Sequence, residues 1–255
     1  MRRERSERSV WRRVSLSLAA CHHIKRKFLV NPALKDIWKH MLDLGLGALA
    51  HANRHAAYAA MENPKWPELS VTQAAHAAEL IIKARIAQEH PLLIFEQLPK
   101  LTKSAIGNQL DLDDLFRQGK TIQWLDLPDR LWAATGLTIP NRQKYDEFGK
   151  LRNGIQHFGP NPAQDAGEET LNFVFEVIDP FINECWDLFA IDYDEDDEAY
   201  IYFVSALVNR EIKFLVSQEA AETFDDWDVD WNDVSKEYRE EMHARVRAAL
   251  SDGSE

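Results

Sequence analysis

Lys150-Leu151-Arg152-Asn153-Gly154-Ile155-Gln156-His157-Phe158-Gly159 sets an arginine, an amide and an imidazole within six positions, and it closes on Gly159-Pro160. Glycine followed by proline stops a helix: the first tolerates a left-handed cap, and the second lacks the N–H that a further turn needs. His157 is therefore expected in the last turn of a helix that opens near Asn141. The three side chains form a coherent set. A guanidinium grips phosphate oxygens in a planar fork, a neutral imidazole takes a proton near pH 7, and an amide orients either one. Arg152, Asn153 and His157 are accordingly the candidate catalytic residues, with Gln156 beside them as a supporting polar group.

Helix geometry restricts how they meet. Residues four apart stack on one face, so Asn153 and His157 align, whereas Arg152 and His157, five apart, diverge by about 140°. One copy of the helix does not aim both groups at one atom. Either the last turn unwinds, or an isologous dimer supplies a second Arg and His across its two-fold axis. Gly154 costs a helix interior roughly 1 kcal/mol relative to alanine and suits a place where another backbone or a substrate comes close.

The rest of the chain reads as helices. Asn31-Pro32 offers a capping amide and a first-turn proline, and Leu34, Ile37, Trp38, Met41, Leu42, Leu44 and Leu49 recur behind it, which predicts one long helix to about Met61. Asn63-Pro64-Lys65-Trp66-Pro67 breaks it, and a second helix runs from about Ser70 to Glu89, rich in the alanines that permit close packing. The two form an antiparallel hairpin. Residues 91–140 are less periodic: Leu92 to Phe95 is a short apolar turn or helix, Leu110 to Phe116 alternates acid with apolar residues, and Leu127 to Thr135 suits a short helix. After a Pro160/Pro162 loop, a helix from about Glu168 to Phe189 should kink at Pro180. Beyond the acidic run at 192–198, Ala199 to Val216 leans to helix, Asp225 to Trp231 is a loop with two aromatic anchors, and Ser235 to Leu250 is an amphipathic helix with Glu241 and Arg245 four apart. The expected fold class is all-α.

Charge is uneven along the chain. The net charge is −12, yet residues 1–30 carry nine Lys/Arg against two Glu, and residues 192–255 carry six against nineteen acids. This divides the sequence into a basic arm at 1–30, a helical domain at 31–190 and an acidic, helical extension at 191–255. A negative total is unusual for a nucleic-acid binder, because phosphate contacts supply most of the affinity; the distribution softens that objection. Cys21 and Cys185 are the only cysteines, which fits a reducing cytoplasm. Leu18-Ala19-Ala20-Cys21 matches a lipoprotein cleavage box, but serines break the short apolar run before it, so a basic arm is preferred to an export or transit signal. No stretch approaches a membrane span.

Arg152-Asn153-x-x-x-His157 at the end of a late helix, in an otherwise helical chain, resembles the R-x4-to-6-H motif of the HEPN superfamily, with Asn153 in the polar slot directly after the arginine. The Ala78-Glu79-Leu80-Ile81-Ile82-Lys83-Ala84 run of the earlier helix adds to the resemblance, which covers about residues 31–190. It implies an up-and-down helical bundle that dimerises so that two motifs face each other and form one endoribonuclease site, independent of metal and of any cofactor. The implied substrate is single-stranded or loop RNA, and the implied setting is a toxin or a defence against phage. HEPN toxins controlled by nucleotide transfer carry a tyrosine two positions after the motif histidine, where this chain has Gly159, so that control is not expected.

Other constellations carry less. Arg85-Ile86-Ala87-Gln88-Glu89-His90 repeats the spacing, but an apolar residue follows its arginine and a proline follows its histidine. His51 and His55 lie four apart without the glutamate of H-E-x-x-H or a third ligand, and read as a solvent-facing pair. Glu79, among apolar neighbours, needs a partner: Arg152 across the bundle or Lys83 one turn along. Phosphate-loop, dinucleotide and nucleophile-elbow motifs are missing. The sequence thus points to an endoribonuclease with a second copy, and possible protein regulators, as partners. The competing class is a non-catalytic helical module for protein interaction or ligand sensing.

Overall fold

The computed structural model describes residues 34–58, 61, 63–98, 115, 117–159, 165–195 and 200–252. The basic arm, the Asn31-Pro32 opening, most of the stretch from Leu110 to Phe116 and the Pro160/Pro162 loop lie outside them. Of the described residues, 34–36, 98, 115 and 117–119 belong to one unit and those within 37–97 and 120–252 to a second, which contains the motif helix.

Among its described residues the second unit is all-α apart from one small antiparallel ladder, β1 (Phe95–Gln97) against β2 (Lys120–Thr121). Helix α1 (Ile37–Ala57) and helix α2 (Trp66–Glu89) are its frame. Helix α2 is buried on nearly every side, and its burial set of Ala74, Ala75, Ala77, Ala78, Ala84 and Ala87 lets neighbours approach. Their run is antiparallel: His55 lies against Trp66 and Gln73, whereas a Cβ on Gly45 would meet Ile81 at 2.8 Å. Helix α2 begins earlier than its proline cluster suggests. Pro67 falls in the first turn, where a missing N–H is harmless, so it opens the helix and does not end the break.

Helix α3 (Leu127–Thr135) stops at Gly136 in the left-handed conformation (φ 79°). Helix α4 (Arg142–His157) is the motif helix, followed by α5 (Ala166–Phe173). The expected kink at Pro180 takes a specific form: Val174–Ile178 is a π-helical turn, and α6 (Asp179–Trp186) continues from it. A widened turn accommodates the proline, which cannot return a hydrogen bond to the preceding turn. Next come α7 (Ile201–Val208), a non-helical run through 212–217, the short α8 (Gln218–Glu222) and the terminal α9 (Lys236–Asp252).

One apolar cluster spans this unit from Leu42 to Val246. The acid-rich C-terminal residues contribute Phe203, Phe214, Trp227, Tyr238 and Met242 to it, while Asp225, Asp226, Asp228 and Asp230 stay exposed. Two buried polar side chains fasten this part of the chain. Asn53 donates from Nδ2 to the carbonyls of Ala190 (3.2 Å) and Tyr193 (2.7 Å). Asp179 accepts from the amides of Ala190 and Leu215, both at 2.8 Å. Burial raises the Asp179 carboxyl to about 7, the two amides opposing that rise. Among the described residues no helix is long and apolar enough to cross a membrane.

Candidate functional site

The motif helix is tightly defined at both ends. Asn141, in the left-handed region (φ 41°, ψ 63°), caps it by accepting from the Lys144 amide at 3.2 Å. At the other end the amides of Phe158 (2.8 Å) and Gly159 (3.1 Å) both return to the Gly154 carbonyl, and Gly159 takes φ 97°. Only a glycine adopts that cap without strain, as the Gly159-Pro160 stop anticipates.

Between these caps the helix leans on an aromatic stack. Trp124 and Tyr145 lie face to face, ring centroids 4.2 Å apart and 4° from parallel, and the Tyr145 hydroxyl donates to the Trp124 carbonyl at 2.8 Å. Phe148 stacks on Phe173 of α5 at 3.8 Å and 2°. Gly149 admits the indole: a Cβ there would meet Trp124 Nε1 at 2.4 Å. Burial pushes the Tyr145 hydroxyl far above its ordinary value, with the negative charge of Glu79 adding to the rise. It therefore stays protonated and continues to donate.

Arg152 emerges at the edge of this stack. Its guanidinium carbon lies 5.2 Å from the Trp124 ring centroid. Its Nε and Nη2 donate to Asn153 Oδ1 at 3.3 and 3.0 Å, and its Nη1 stands 4.0 Å from Glu79 Oε2. Glu79 also takes a hydrogen bond from Lys83, which is buried on α2 and bonds Thr121 Oγ1 at 3.2 Å. Both partners weighed for Glu79 are thus present at once. A buried ammonium needs such pairing, and Glu79 supplies it while keeping its second oxygen toward Arg152.

His157 is exposed in the last turn, beside an equally open Phe158 (93 % exposed; ring centroids 6.4 Å apart). Gln156, also exposed, lies one turn beyond Arg152 on its face of the helix. Arg152, Asn153 and Glu79 therefore come together in one copy of the chain, and His157 lies about 140° around the helix from Arg152. A groove of about 410 Å³ runs along the helix on a third side, floored by Phe148, Leu151 and Ile155 and rimmed by the Lys144–Glu169 ion pair. Gly154 opens into space there, with no atom within 4 Å of where its Cβ would be.

The competing pair at 85 and 90 is occupied elsewhere. Arg85 bonds Glu89 at 2.8 Å and the Cys185 thiol, and His90 Nδ1 accepts from the Leu92 amide at 3.2 Å, capping a short turn at Pro91–Ile94. His51 pairs with Glu195 at 2.8 Å, and His55 faces Gln73 and the Trp66 ring. Among the described residues no three His, Cys, Asp or Glu side chains converge to hold a metal ion.

Trp124 and Gly149 escape a reading of the sequence centred on the motif. Gly149 carried a usable signal, since a glycine inside an amphipathic helix marks either a flexible point or a close approach. Compared with known proteins, the chain matches no family model, no curated protein and no solved structure.

Proposed function

We propose that this protein is a metal-independent endoribonuclease of the HEPN type, acting on single-stranded or loop RNA as a homodimer. The observation that carries the proposal is the anchored guanidinium of Arg152, set on the motif helix by Asn153 and Glu79 one turn before an open imidazole. A fixed, charged fork on one copy and a titratable base from a second suit phosphodiester chemistry. In the reaction His157 takes the proton of the ribose 2′-hydroxyl, the 2′-oxygen attacks phosphorus, and Arg152 stabilises the added negative charge. The 5′-oxygen leaves with a proton from a second acid, which the His157 of the other copy supplies. Products end in a 2′,3′-cyclic phosphate and a 5′-hydroxyl, and DNA, lacking the nucleophile, resists.

The dimer reading is supported by the angle between Arg152 and His157 and by the open groove at Gly154. A role as a toxin or in defence rests on analogy with the superfamily. The test is cleavage of matched RNA and DNA oligonucleotides by the full chain in excess chelator. RNA alone should be cut, and His157→Ala should abolish cutting; activity that survives this substitution, or vanishes on chelation, refutes the proposal.

A second reading, a non-catalytic interaction module, is favoured by the net charge of −12 and by exposed Leu125 and Trp132. A strictly monomeric protein that leaves RNA intact would support it.

A further inference from the structure

Trp124 is only 5 % exposed, yet its indole N–H has no hydrogen-bond partner among the described residues. A phenylalanine would fill much of the same space without that penalty, so packing alone does not account for a tryptophan here. The indole has one distinguishing asset, the most electron-rich face available for a cation. Arg152 occupies that face at 5.2 Å.

We infer that Trp124 is a positioning residue for Arg152, a rigid plate against which the guanidinium is held in its working orientation; the inference rests on the proposed role of Arg152 at the phosphate. Three restraints act on the group from three directions. The Trp124 ring fixes one face, and Asn153 Oδ1 takes the Nε/Nη2 edge at 3.3 and 3.0 Å. Glu79 lies off Nη1 at 4.0 Å, longer than a hydrogen bond, so it holds the charge without consuming a donor. The edge between Nη1 and Nη2 remains for two phosphate oxygens, the bidentate geometry that arginine favours. The plate itself does not move easily. Tyr145 backs it at 4.2 Å and takes hold of its carbonyl, and the Gly149 backbone closes against its nitrogen. An arginine ordered in advance gives up less freedom when the transition state forms, so losing the plate should lower turnover more than substrate affinity.

The test uses the full chain and its Trp124→Leu, Trp124→Phe, Arg152→Ala and Trp124→Leu/Arg152→Ala variants, with a mixed-sequence single-stranded oligoribonucleotide as substrate. Trp124→Leu should lower kcat about tenfold with little change in KM, the size of one cation–π contact. Trp124→Phe, which keeps a ring face but a less electron-rich one, should recover part of the loss and fall between the parent and Trp124→Leu. The double variant should be no slower than Arg152→Ala, because a plate acts only through what it supports. A Trp124→Leu enzyme within twofold of the parent overturns the inference, as does a double variant slowed by the full tenfold beyond Arg152→Ala. An independent readout is the Arg152 Nε–H resonance, identified by its loss in Arg152→Ala. Ring current should shift it upfield in the parent and release it in Trp124→Leu; an unmoved resonance overturns the inference. Failure of the ribonuclease reading looks different: Arg152→Ala then cuts as fast as the parent, or nothing cuts, while the resonance still decides the placement.

Discussion

Replacing Gly149 by alanine sets two opposing effects against each other on one helix. In an ordinary helix interior the change stabilises by roughly 1 kcal/mol, because alanine has the lower backbone entropy in the unfolded chain. Here the new methyl would stand 2.4 Å from Trp124 Nε1, 3.0 Å from Cδ1 and 3.2 Å from Cε2, so the indole must retreat by about an ångström. It has no room to do so, being stacked on Tyr145 at 4.2 Å. Forcing an extra methyl into a packed core costs about 1–3 kcal/mol, and unstacking the aromatic pair adds about 0.5–1.5 kcal/mol. The clash wins, and Gly149→Ala should destabilise by about 0.5–3.5 kcal/mol. In thermal melts that is a fall of about 1–14 °C for a chain of this size. Gly154→Ala is the internal control. Its methyl meets nothing within 4 Å, so the same substitution five residues along should leave stability unchanged or raise it by up to ~1 kcal/mol at dilutions where the protein is monomeric. Urea denaturation of both variants gives the two free energies directly. A Gly149→Ala protein as stable as the Gly154→Ala protein would refute the close approach of Trp124, and with it the plate under Arg152.

Other outcomes follow from the same geometry. The Asp179 carboxyl, raised by burial to about 7 from an ordinary 3.8, binds its proton more tightly folded than unfolded. Its contribution to stability is therefore complete below about pH 4 and is lost as pH rises toward 7. Asp179→Asn should flatten this part of the stability profile across pH 4–7. The variant should also lose about 1–3 kcal/mol at pH 4, where one of the Ala190 and Leu215 amides gives up its acceptor; a profile as steep as the parent's refutes the assignment. His90→Ala removes a side-chain cap and should cost about 0.5–2 kcal/mol in denaturant melts while leaving RNA cleavage intact, unlike His157→Ala. On the proposed dimer, Leu151→Glu puts a charge on the groove floor and should give folded monomer in sedimentation where the parent sediments as dimer; a variant dimer that persists moves the interface elsewhere.

Much of this architecture is legible in the residues, and the gaps have physical causes. The motif helix announces both ends, Asn141 and Gly159, because capping is local chemistry written within a few positions. The all-α character and the α1–α2 hairpin follow from periodicity over long segments, where many apolar positions agree. Trp124 is different. It sits in a three-residue turn, Trp124–Asp126, too short to have a period, and its partner lies 28 positions away. Nothing local links them. The C-terminal residues illustrate the converse: their charge count separates them from the rest, but charge reports what faces water. Phe203, Leu207 and Phe214 recur at a spacing that suggests one helix over Ala199 to Val216, but the helix ends at Val208 and Phe214 reaches the core from a non-helical run, held by contacts that no local repeat encodes.

The π turn at Val174–Ile178 amounts to one residue more than a regular helix would use between α5 and α6. Each residue added to a helix advances its face by about 100°. The residues after the turn are therefore rotated relative to α5 by a single position of length, which leaves Phe181 beside Ile81 and Ile82 of α2. Removing any one residue from this turn would leave a smoother helix and would swing α6 by about 100° relative to α5 and α2. A change of letter here acts on one core contact, whereas a change of count acts on the facing of a whole helix.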